Sequence, residues 1–230
     1  MEDPSDLDAL VRRVDPHRWL SSRFVADPAR RADLITLYAF DHELARVAVR
    51  VSNPMLGEIR LAWWGEVLDE AYGGREVRAH PTAQALAEVI RRRELPRAPL
   101  DRMIEGRAAD LSGEPFGAEP ELVAYLDAAW GGIADAAVAL LAPGARAPVG
   151  AGRAWGLAHL RRTPPLPPER LAARARAEVD AARAEAARLP APAFPAVAHA
   201  TLAPALAAGR RVAEGPDKLR LTLAVALGRL

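Results

Sequence analysis

The chain has 230 residues, half of them apolar and 27% charged, with a formal net charge of +1. That composition suits a soluble globular protein with one substantial core and speaks against wholesale disorder. It gives no global electrostatic case for nucleic acid, because the arginines are interspersed with acids and alanines. The absence of cysteine removes disulfides, thiolate nucleophiles and cysteine-held metals.

Ser5 is expected to start a short amphipathic helix carrying Leu7, Leu10, Val11 and Val14. Asp15-Pro16 ends it and opens the next, with Trp19, Leu20 and Phe24 as its apolar face; Asp27-Pro28 repeats the signal. A long helix is predicted from Pro28 to about Val51. Ser52 or Asn53 can cap its successor, Pro54 suits that helix's first turn, and Gly73-Gly74 ends it. Pro81 opens a helix through Ile90, and Pro96 and Pro99 precede another through Leu111.

From Glu119 to Leu141 the residues Leu122, Leu126, Ala129, Ile133, Ala137 and Leu140 trace a narrow stripe that lets another helix approach closely. A further helix is expected over Val149 to Arg162, and four prolines between 164 and 168 then change the chain's direction. Glu169 to Leu189 reads as a peripheral helix, followed by weaker patterns over Ala196 to Ala208 and Lys218 to Leu230. No period-two alternation occurs, so the expected fold is all-α, a single domain over residues 1–230 with a proline-interrupted C-terminal part from about 164. The acidic start is not a secretory signal and no window approaches ~20 uninterrupted apolar residues, so a cytoplasmic protein is expected, with peripheral membrane contact compatible.

The five histidines show no close i, i+4 pairing, G-x-S-x-G is absent, and the glycine pairs lack a phosphate-loop lysine. Glu66, Asp69 and Glu70 are placed to share a hard cation such as magnesium, or to form a solvated outer face, the reading favoured here. Asp101 and Glu105 carry the same ambiguity. Trp63 and Trp64 point about 100° apart around one helix, so one can enter the core while the other lines a boundary or cavity, although core packing is the favoured role for both.

Leu37-Tyr38-Ala39-Phe40, Ser52-Asn53-Pro54, Arg60-Leu61-Ala62-Trp63-Trp64, His80-Pro81 and Ile104-Glu105-Gly106 through Asp110-Leu111 resemble squalene/phytoene synthases over roughly residues 16 to 162. The resemblance implies a prenyl-synthase-like helical bundle around a central cavity, joining prenyl diphosphates head to head on magnesium held by two aspartate-rich helices. Where the first aspartate motif belongs, this chain has Ala45-Arg46-Val47-Ala48-Val49. Where the second belongs, it has Ala158-His159-Leu160-Arg161-Arg162-Thr163. Neither stretch can hold magnesium, and Arg46 would repel it. Asp110 matches an acid of the family's middle motif and Glu43 a commonly acidic neighbour of the first.

Tyr38 to Trp64 is similar to a divergent branch of the family, the phytoene-synthase-like assembly factors of respiratory complex I. The resemblance therefore implies a catalytically degenerate protein without a cofactor. Its expected role is assembly, scaffolding or lipid binding, with membrane-complex subunits, assembly factors or a prenyl or lipid ligand as partners, peripheral to the inner membrane. Tyr38, Phe40, Glu43, Arg46, Arg60, Trp63, Trp64, Glu105 and Asp110 are its candidate cavity or ligand-binding residues. The alternatives are a magnesium-dependent prenyltransferase using Glu66, Asp69 and Glu70 or Asp110, and a helical interaction module with no ligand.

Overall fold

Three dipeptides of an Asx residue and proline set the starts of three helices. In the computed structural model, which describes residues 6–50, 53–160, 164, 166–210 and 214–230, α1 is Leu7–Val14 and α2 Pro16–Ser22. Next come α3 Pro28–Ala45, α4 Val47–Arg50 and α5 Pro54–Tyr72. The carboxylate of Asp15 accepts from the Arg18 amide at 3.0 Å, and that of Asp27 from Ala29 at 2.9 Å. The Asn53 side chain accepts from Met55 at 3.0 Å, and in all three cases proline fills the first turn, where its missing N–H costs nothing. Asp6 caps α1, accepting from the Ala9 amide at 3.0 Å. The predicted starts at Ser5 and Ser52 lie outside the described residues, as do Arg161, Arg162 and Thr163.

The long helix expected from Pro28 to Val51 is broken at Arg46, between α3 and α4. Arg46 folds back onto Glu43 at 2.6 Å, and the β-branched Val47 and Val49 after it hold a helix weakly. Then follow α6 Pro81–Arg93, α7 Arg97–Ala108 and a single 3₁₀ turn, Ala109–Leu111.

Glu119 to Leu141 is one helix in three parts: α8 Glu119–Tyr125, a π-helical segment Leu126–Gly131, and α9 Gly132–Leu141. Its length and composition would let it cross a membrane, yet its predicted stripe from Leu122 to Leu140 is buried in the protein, and α9 packs on α3 and α7. It is a core helix.

The helix α10 spans Val149–Leu157, shorter than its predicted extent to Arg162, and α11 Pro168–Ala186 lies against it. Glycine makes this contact close. A Cβ on Gly150 would stand 2.2 Å from the Glu178 carbonyl oxygen of α11, and one on Gly152 would stand 2.9 Å from that of Trp130. The expected apolar stripe of α11 is buried at Ala175, Val179, Ala182 and Ala186. Two 3₁₀ stretches, Ala191–Ala196 and Ala198–Leu202, lead into α12 Ala203–Ala207 and α13 Glu214–Leu227. Buried apolar side chains from Val11 to Leu230 belong to one core, and the described residues contain no strand.

Candidate functional site

Between α2, α3, α7 and the π segment the interior holds charge. The Asp41 carboxylate accepts from Arg18 Nη2 at 2.6 Å through one oxygen and from Arg107 Nη2 at 2.9 Å through the other. Arg107 Nη1 donates to the Tyr125 hydroxyl at 3.1 Å and lies 3.4 Å from Asp110, and the Tyr125 hydroxyl donates to Asp110 at 3.2 Å. Arg18 is also paired with Asp15, the cap of its own helix. The guanidinium of Arg107 stacks on Trp130 at 4.5 Å and that of Arg18 on Tyr38 at 4.8 Å. Arg18, Asp41, Arg107 and Asp110 are all at least nine-tenths buried.

Burial opposes ionisation of Asp41, but the two guanidiniums outweigh it and hold the carboxyl below its ordinary range. Asp15 is likewise brought to about 2, its burial overcome mainly by Arg18. Burial raises the Tyr38 phenol, and it pushes Tyr125 up to about 12. These groups are fixed in one protonation state near neutrality. The charged groups pair with one another as buried ions rather than as an acid and a base facing a substrate, and Arg18 Nη1, Arg107 Nε and Asp110 Oδ1 are left without a hydrogen-bond partner among the described residues.

Beside this network lies a cavity of about 10 Å³, lined by Arg18, Tyr38, Trp130, Trp155, Val197 and His199 among others. A cavity of that size has room for about one water molecule. Burial, assisted by the Arg18 cation, lowers His199 to about 3, and burial also lowers His159. His17, His159 and His199 all pack on the Trp155 ring, at 5.8, 4.2 and 4.7 Å between centroids.

Five of the sequence-derived candidates come together elsewhere. Glu43, Arg46, Arg60, Trp63 and Trp64, joined by Val47 and His80, line a cleft of about 310 Å³ between the end of α3 and the side of α5. Trp64 is buried against Phe40, with ring centroids 5.2 Å apart, while Trp63 is half-buried at the rim; the pair divides between core and boundary, whereas the sequence reading favours core packing for both. Phe40 is wholly in the core, Tyr38 faces the small cavity, and Asp110 belongs to the buried network. Glu105 stands apart, in a separate cleft with Arg102, Asp127, Asp135 and Arg153.

The sequence reading missed Arg18, Asp41, Arg107, Tyr125 and Trp130. The signal available was a charge within an apolar run: Asp41 directly follows Leu37 to Phe40, and Arg107 sits between Ile104 and Leu111.

The three acids of α5 placed to share a cation are committed to arginine. Glu66 and Glu70 pair with Arg78, the latter at 3.0 Å, and Asp69 pairs with Arg97 at 2.6 Å. Glu66 and Asp69 are more than half exposed and look outward. Among the described residues no cluster of three or more acidic or histidine side chains is placed to hold a metal ion. Among the described residues the donors of α5 are therefore not arranged to hold magnesium.

This helical arrangement is an isoprenoid-synthase fold. A dehydrosqualene synthase solved with a ligand superposes with a TM-score of 0.79 over 96% of this chain and 94% of that one, at 15% identity. Squalene synthase HpnC from Alicyclobacillus acidocaldarius superposes with a TM-score of 0.69 over 96% and 92%, at 17% identity. Residues 11–164 match squalene/phytoene synthase, and the chain belongs to that family. It is also 29% identical over 119 residues to assembly factor 6 of the NADH dehydrogenase (ubiquinone) complex I of Bos taurus, a match covering 51% of this chain and 35% of that relative.

Proposed function

We propose that this chain is a non-catalytic member of the squalene/phytoene synthase family that works by binding, in the assembly of a membrane-bound respiratory complex and peripheral to the membrane. The observation that carries this reading is the Arg18–Asp41–Arg107–Asp110 network. It occupies the interior with paired charges and leaves about 10 Å³ beside it. Ligand sites for molecules of prenyl size run to about 300 Å³ or more. Residues 45–49 supply no carboxylate, and Asp41, Asp110, Glu66, Asp69 and Glu70 are each paired with arginine. The similarity to a complex I assembly factor supports the assembly role, and the continuous core supports one domain.

The competing reading, a divergent prenyltransferase, requires Glu66, Asp69 and Glu70, or Asp110, to face a substrate from within; the first three pair with Arg78 and Arg97 at the surface, and the buried Asp110 is held by Arg107 and Tyr125, which weighs against it. Incubation with farnesyl diphosphate and magnesium tests the choice. No diphosphate release above background is expected; sustained release that disappears in Asp110→Asn would overturn the non-catalytic reading.

A further inference from the structure

The helix α5 is apolar on two faces. One, with Gly57, Leu61, Trp64, Val67 and Leu68, is buried in the bundle. The other presents Met55, Leu56 and Ile59 at 64, 50 and 59% exposure, and Val49 at the end of α4 adds a fourth side chain at 61%. An exposed apolar cluster on a helix whose other face is already buried ordinarily has something covering it.

The order of residues along α5 identifies the cover. The exposed apolar side chains occupy its first two turns, flanked there by one exposed acid, Glu58. Arg60, exposed and without an ion-pair partner among the described residues, comes next, and half-buried Trp63 follows; beyond them Glu66, Glu70 and Arg78 form a hydrated ion-pair cluster. At ~1.5 Å per residue, Met55 to Trp63 spans about 12 Å. Apolar tip, then cation and tryptophan, then paired charge is the sequence of environments met on passing from acyl chains through headgroups to water.

Two guanidiniums, of Arg46 and Arg60, line the cleft between α3 and α5, and among the described residues Arg46 pairs with Glu43 alone. Guanidinium recognises phosphate oxygens in a bidentate fork. A partner helix laid along α5 would need the apolar stripe to continue, and it stops at Trp63. A second copy of the chain would need ~800 Å² from each side, more than four aliphatic side chains supply.

We propose that the corner formed by the end of α4 and the first two turns of α5 is a membrane-contact surface. Val49, Met55, Leu56 and Ile59 enter the interface of an anionic phospholipid bilayer, and Arg46 and Arg60 hold headgroup phosphates. The proposal deepens the peripheral-membrane reading above by naming its surface and its lipid chemistry.

Cosedimentation of the full chain with vesicles tests it, using phosphatidylcholine alone and phosphatidylcholine with phosphatidylglycerol in equal parts. Binding is expected on the anionic vesicles and is expected to weaken with salt. It should fall about tenfold or more in Ile59→Asp and about fivefold in Arg60→Gln. Leu223→Asp, at an exposed position on α13, should bind as the parent does. All these positions are exposed, and circular dichroism of each variant verifies its fold.

Undiminished binding by Ile59→Asp, or no binding to anionic vesicles, would overturn the proposal. A dimer in sedimentation equilibrium that Ile59→Asp dissociates would give the surface to a second copy instead. Diphosphate release by a chain that still binds vesicles would sink the non-catalytic reading and leave this surface standing; vesicle failure in an inert chain does the reverse.

Discussion

Two buried guanidiniums converge on the carboxylate of Asp41, one from α2 and one from α7. Removing that carboxylate leaves Arg18 and Arg107 facing each other without their shared acceptor, in a place where water cannot replace it. Asp41→Ala is therefore expected to lose about 3–5 kcal/mol in urea unfolding. Glu66→Ala, which breaks an exposed pair with Arg78, should change stability little. Equal effects of the two substitutions would mean that the network is open to solvent and is not the interior filling on which the non-catalytic reading depends.

At the scale of elements, the seam between α10 and α11 is set by one missing side chain. The methyl of Gly150→Ala would meet a backbone carbonyl at 2.2 Å, and backbone cannot rotate away as a side chain can. The two helices must separate, at an expected cost of about 1–3 kcal/mol, read as a lower thermal midpoint. Gly65→Ala is the matched control, because nothing lies within 4 Å of its new methyl; it should hold or raise the midpoint, since alanine favours helix. Helices of this kind were legible in the sequence wherever their determinants are local. Asp15-Pro16, Asp27-Pro28 and Asn53-Pro54 each combine a cap with a first-turn proline, and all three function as read. The break at Arg46 was not legible, because a salt bridge to Glu43 and two weak helix formers leave no stop signal. The buried network was less legible still: Asp41 and Arg107 are 66 residues apart, and only the packing of α3 on α7 makes them partners. The surface cleft was half legible, since Arg60, Trp63 and Trp64 share one helix, while His80 and Val47 reach it from other elements.

The whole molecule closes around Trp155, where His17 from α2, His159 just after α10 and His199 from the second 3₁₀ stretch all pack on one ring. His17 in turn meets Asp217 of α13 at 3.1 Å, and Arg210 pairs with the same carboxylate, so the last helix is tied to the first part of the chain through this cluster. Folding at neutral pH keeps His199 and His159 uncharged, and burial holds their folded values below the ordinary 6.5. The unfolded chain accepts protons there as pH falls through ~6.5, whereas His199 in the fold does so only near 3. Stability is therefore lost on acidification from that point, at up to about 1.4 kcal/mol per pH unit for each such histidine. Asp15 and Asp41 extend the loss at lower pH, because their folded values lie below the unfolded 3.8: their contribution is complete above that pH and disappears as pH falls toward about 2 for Asp15. Urea unfolding at pH 7.5, 6.0 and 5.0 should therefore give steadily lower midpoints, before carboxylates titrate. His199→Gln, which cannot take up the proton, should be less stable than the parent at pH 7.5 yet show a shallower decline. A parent midpoint that stays flat between pH 7.5 and 5.0 would mean that these imidazoles reach solvent, and that the interior around Trp155 is open.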